Sequence, residues 1–115
     1  MLPAHLLFYV PDVDAAVDFY ETAFGFKRHG EDHAAGWAAV RSGEVVIAFL
    51  SEAAAAAQGH PYTPLRPDHP PPGMELVLTR AEVLPAYIRA LLAGAVPLHE
   101  PALKADGGWS PSCAI

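Results

Sequence analysis

The sequence predicts an α+β domain built from two copies of one β-α-β-β-β module. Three observations carry that expectation. An apolar run is followed directly by an amphipathic stretch at helical spacing. Short apolar segments punctuated by turn residues come next. The same order then recurs about 70 positions later. At 115 residues the chain has length for one modest core, and 52% apolar with 17% charged residues is a globular composition. Much of the apolar share is alanine, so the core must rest on Leu, Val, Ile, Phe, Tyr and Trp.

His5 to Val10 reads as a buried strand ending at Pro11. Asp12 is a good N-cap, since its carboxylate can accept from the first unpaired backbone N–H groups. Val13, Ala16, Val17, Tyr20 and Phe24 then fall on one helical stripe, and Gly25 offers the left-handed residue that closes a helix. Strands follow at Phe26 to Gly30, Trp37 to Arg41 and Val45 to Leu50, with Ser42-Gly43 as a tight-turn signal.

Residues 51–73 differ in kind. The alanine run from Ala53 can add a helical turn, but the prolines between His60 and Gly73 forbid a regular element and give a stiff linker. Met74 to Thr79 reads as a strand, Val83 to Ala93 as a helix with Val83, Ala86, Tyr87, Ala90 and Leu91 on one face, and Val96 to His99 as a strand. Pro85 is tolerable only in the first helical turn, and Gly94 ends that helix. The expected organisation is therefore module one at 1–50, linker at 51–73 and module two at 74–115.

The repeat is ordered. His5 aligns with Glu75 and Asp12 with Glu82 at an offset of 70, Gly25 with Gly94 at 69, and His29 with His99 at 70. In the second copy the third strand should include Cys113 to Ile115. The fourth, matching Val45 to Leu50, would fall near positions 115–120, so the second module lacks its last strand in this sequence. The natural chain could continue, another chain could supply the strand, or the sheet could have a gap. An open edge of this kind favours association.

Composition also excludes classes of function. A net charge of −6 with seven scattered basic residues does not make a phosphate-binding groove, and it suits a neutral or cationic ligand better than a polyanion. Cys113 is the single cysteine, so neither an intrachain disulfide nor a thiolate zinc site can form. No stretch approaches membrane-spanning length, and the first ten residues do not read as a signal peptide. The expectation is a cytoplasmic protein with no nucleic-acid or membrane partner. No P-loop, GxGxxG, nucleophile elbow or CxxC motif is present.

VPDVDAAVDFYETAFGF closely resembles the opening of vicinal-oxygen-chelate proteins, the group of glyoxalase I, bleomycin-resistance proteins and extradiol dioxygenases. ELVLTRAEV, the AGA after the second helix and HEPALKADGGWSP are similar to the second half of the same group. The resemblance implies two cupped mixed sheets around a site, usually in a homodimer. In metal-dependent members four equivalent strand positions carry ligands. Carried over, these fall on His5, on Ala48, which has no donor atom, on Glu75, and beyond Ile115.

No cofactor is expected; His5 and Glu75 are the candidate metal ligands, and a divalent ion would need a third ligand supplied from elsewhere. A His5–Glu75 hydrogen bond would explain both residues without metal. Trp37 and Trp109 hold equivalent module positions at an offset of 72, and each either lines a cavity or fills core. With Tyr9, Leu50 and His60 they form the candidate ligand-binding set, the His-Pro-Tyr of residues 60–62 reading as a rim. No catalytic residue is identified. Two functions compete: a binding protein that sequesters an aromatic or cationic antibiotic-like molecule, and a metal-dependent lyase or dioxygenase.

Overall fold

A computed structural model describes residues 4–66, 68–70, 72–74, 76–78, 83–99 and 112–114. The chain forms two compact units, Met1–Leu65 and Arg66–Ile115.

The first unit contains a β-α-β-β-β run followed by a short helix. Strand β1 (Leu6–Val10) leads into helix α1 (Val13–Phe24), then strands β2 (Lys27–Asp32), β3 (Trp37–Ser42) and β4 (Val45–Ser51), and helix α2 (Glu52–Ala56). The Asp12 carboxylate caps α1 by accepting from the Ala15 N–H at 3.0 Å. Gly25, at φ 74°, closes it: its N–H reaches the Glu21 carbonyl, and the Phe26 N–H reaches back to Tyr20. That closure draws Phe26 out of the expected strand and into the core, so β2 starts one residue later.

The sheet order is β1-β4-β3-β2, with β1 parallel to β4 and the other pairs antiparallel. A parallel β1/β4 pair needs a long crossover, which α1 and the β2-β3 hairpin supply. β4 is central and its residues from Val46 to Leu50 are all buried, so VVIAFL runs apolar without alternating. β2, at the edge, is the opposite: KRHGED, bulged between Arg28 and Glu31 with Gly30 at φ 98°. Charges and a bulge keep such an edge from pairing further.

The two faces of β4 sort by parity. Ile47 and Phe49 face α1. There Phe49, 1% exposed, meets Tyr20 at 5.1 Å between ring centroids and Phe8 at 6.3 Å, and Tyr20 meets Phe26 at 5.4 Å. Burying each such side chain contributes roughly 1.5–3 kcal/mol. Val46 and Ala48 face the other way and cluster with Ala39, with Trp37 packed against them.

In the second unit, helix α3 (Val83–Leu92) and strands β5 (Val96–His99) and β6 (Ser112–Ala114) repeat the order of α1, β2 and β3, and β5 and β6 pair antiparallel as β2 and β3 do. Pro85 lies in the first turn of α3, Ala90 is buried, and the helix closes at Gly94, φ 115°, with the Ala95 N–H on the Ala90 carbonyl. The expected strand at Met74 to Thr79 is not found at Met74 or at residues 76–78. The Met74 N–H instead makes a tight-turn bond to the Pro72 carbonyl at 2.7 Å, and Val77 is 78% exposed. Glu75, Thr79, Glu82, Trp109 and Ile115 lie outside the described residues. No helix among the described residues is long and apolar enough to cross a membrane.

Candidate functional site

Register places three of the expected ligand-binding residues in one row. Leu50 of β4 stands opposite Tyr9 of β1 and opposite Trp37 of β3. Directly paired residues share a face, and parity puts this row on the face away from α1. Leu50 is 8% exposed, while Tyr9 and Trp37 are half-buried. The Trp37 ring lies beside Gly30, where an added Cβ would sit 3.6 Å from it.

His60 joins this row through the chain beyond β4. Ser51 is extended, and its hydroxyl caps α2 by accepting from the Ala54 N–H at 3.1 Å, so the strand turns straight into the helix. After α2 the chain returns past β1. The Tyr9 hydroxyl lies 3.0 Å from His60 Nε2 and 3.4 Å from Gln58 Oε1, and its ring meets Tyr62 edge-on with centroids 4.7 Å apart. Gln58 was not expected here, since no local pattern announces a contact 49 positions away. Of the ligand-binding set, Tyr9, Leu50, Trp37 and His60 come together. Trp109 lies outside the described residues.

At the end of the strands, Pro11, Asp12, Val13 and Asp14 face His33, Gly36, Trp37 and Ser51 across an open cleft of about 340 Å³. The His33 Nε2 lies 3.1 Å from a Glu31 carboxylate oxygen. A smaller cavity of about 100 Å³ lies among Val17, Arg28, Gly30, Glu31, Ala38 and Ala39.

The metal positions fare differently. His5 is exposed and immediately precedes β1. Ala48, directly opposite Leu7, is a methyl group at 2% exposure and can donate nothing to a metal. Glu75 lies outside the described residues. Among the described residues no three His, Cys, Asp or Glu side chains gather as a metal site. Ala48 therefore leaves one of the four carried-over ligand positions without a donor atom.

The profile of the Glyoxalase/Bleomycin resistance protein/Dioxygenase superfamily matches residues 2–107. The chain belongs to that superfamily. No curated protein matches it in sequence. Among solved structures, a glyoxalase-related enzyme from Fulvimarina pelagi superposes with a TM-score of 0.72 at 21% identity, over 99% of this chain and 81% of that one. A glyoxalase/bleomycin resistance protein/dioxygenase family enzyme from Burkholderia phytofirmans PsJN gives 0.67 at 18%, over 95% and 86%. TioX from Micromonospora sp. ML1 gives 0.58 at 18%, over 96% and 89%. At such identities the likeness is one of fold.

Proposed function

We propose that this protein is a small-molecule-binding protein that sequesters a planar aromatic, cationic ligand. The ligand would lie on the sheet face that carries Tyr9, Leu50 and Trp37. The observation that supports this reading best is the cross-strand row itself: Trp37 stands beside Leu50 on one face of the sheet, and Tyr9 closes one end of the row together with His60 and Tyr62. Such a wall recognises a flat apolar body, and an aromatic contact adds about 0.5–1.5 kcal/mol beyond area burial. The net charge of −6 favours a cation. We further infer a cytoplasmic homodimer, for which sedimentation showing only monomer at high concentration would count against the second half.

The test is a fluorescence titration of Trp109→Phe protein, in which Trp37 is the remaining indole, against a panel of planar aromatic and cationic antibiotics. Saturable change in emission that is lost on Leu50→Asp supports the proposal. Unchanged emission across the panel removes it.

A second reading is a metal-dependent lyase or dioxygenase, favoured by His5 at the head of β1. It needs Glu75 and at least one further ligand. One equivalent of metal co-purifying without added metal or affinity tag, and lost in His5→Ala, would replace the binding reading with this one.

A further inference from the structure

We propose that Tyr9 is a positioning residue rather than a ligand contact: its phenol latches residues 58–62 against β1, and the ring a ligand meets at that end of the face is that of Tyr62. The part concerning the ligand rests on the binding reading above. The latch does not.

The argument begins with hydrogen-bond arithmetic. A phenol has one hydrogen to donate and lone pairs to accept with. Tyr9 faces two partners, His60 Nε2 at 3.0 Å and Gln58 Oε1 at 3.4 Å. With the imidazole hydrogen on Nε2, His60 donates to the phenol oxygen and the phenol donates to Gln58 Oε1, so the phenol is used both as acceptor and as donor. Both partners sit on the segment that follows α2, and both converge on one atom of β1. The same segment adds Tyr62, whose ring stands at 70° to that of Tyr9 with centroids 4.7 Å apart, and the His60 ring lies 6.1 Å from it. Two rings at this distance touch, and no ligand fits between them. Tyr9 is therefore occupied on its hydroxyl and on part of its ring by its own chain.

α2 is only five residues long, and residues 59–65 form no regular element. Local chain preference does not keep such a segment in one place, so side-chain contacts must. The Tyr9 hydroxyl is the atom on which two of them meet.

Two measurements test the proposal. The first needs no ligand. Hydrogen–deuterium exchange over residues 57–65 is compared in wild-type protein and Tyr9→Phe, which keeps the ring and removes the hydroxyl. Exposed hydrogen bonds of this kind are each worth about two- to tenfold in an opening equilibrium. Exchange in the segment should rise by about that factor while β4 is unchanged, and unchanged exchange in the segment overturns the latch. His60→Ala alters only the exposed side of the same bond and serves if Tyr9→Phe fails to fold. The second measurement uses ethidium, a planar aromatic cation, with wild type, Tyr9→Phe, Tyr62→Ala and the double variant. If Tyr9 acts through Tyr62, the double variant binds no worse than Tyr62→Ala alone. If the two losses multiply, Tyr9 touches the ligand itself and the positioning role fails. If wild type binds neither ethidium nor any panel compound, the binding reading and the role of Tyr62 fall together, and exchange alone decides the latch.

Discussion

Gly36 joins the β2-β3 turn to the start of α2, and replacing it with alanine should cost far more than a surface turn substitution. Its φ is 80°, where an L-residue loses roughly 1–2 kcal/mol. Sterics add to this. A Cβ there would lie 2.9 Å from the Ser51 hydroxyl and 3.3 Å from the Ala54 methyl. A hydroxyl can usually swing away, but this one caps α2, and the Ser51 N–H is also tied to the Gly36 carbonyl at 2.8 Å. Moving it forfeits a cap worth about 1 kcal/mol. The expected loss for Gly36→Ala is about 2–3 kcal/mol.

Gly43 supplies the control. It too has positive φ, 60°, but nothing lies within 4 Å of its added Cβ. Gly43→Ala should cost only the backbone part, about 1 kcal/mol. Urea unfolding measures both. With a slope of about 2 kcal/mol per molar, Gly36→Ala should lower the midpoint by about 1 M and Gly43→Ala by about half that. Equal shifts in the two variants would refute the steric argument. A loss in Gly36→Ala that persists undiminished in a Ser51→Ala background would refute the role given to the cap.

Three further outcomes are expected. Burial pushes the Tyr20 phenol from 10.0 up to about 12. Between those values the unfolded chain gives up this proton while the folded one keeps it, so stability should fall by about 2 kcal/mol as pH rises from 10 to 12, and Tyr20→Phe should flatten that decline in urea midpoints. Phe49→Ala removes a side chain 1% exposed between Phe8 and Tyr20, and calorimetry or urea unfolding should show a loss of about 3–5 kcal/mol. Asp12→Ala should cost about 1 kcal/mol of stability in the same assay, with Asp12→Ser restoring most of it through the same bond to the Ala15 N–H.

Local chemistry makes much of the first unit legible in the sequence. The Asp12 cap, the apolar stripe of α1 and the left-handed Gly25 are decided within a few residues, and so the helix falls where the spacing puts it. The strand boundaries at Trp37 and Val45 are as expected for the same reason. Where a boundary moved, a neighbour competed. Phe26 was taken by the closure of α1. β2 ran on through Glu31 and Asp32, polar residues with no strand signature, because β3 offers them ladder partners.

Only the tertiary structure decided which residues meet. In β4 every position from Val46 to Leu50 is apolar, and hydropathy alone does not separate the face of Ile47 and Phe49 from that of Ala48 and Leu50. Pairing with β1 and β3 does, because register fixes parity for the whole strand. The row Tyr9–Leu50–Trp37 and the meeting of Tyr9 with His60, 51 positions apart, have no local signal at all. They follow from a parallel β1/β4 pair and a short capped helix that turns the chain back across it, and those are long-range choices made by packing.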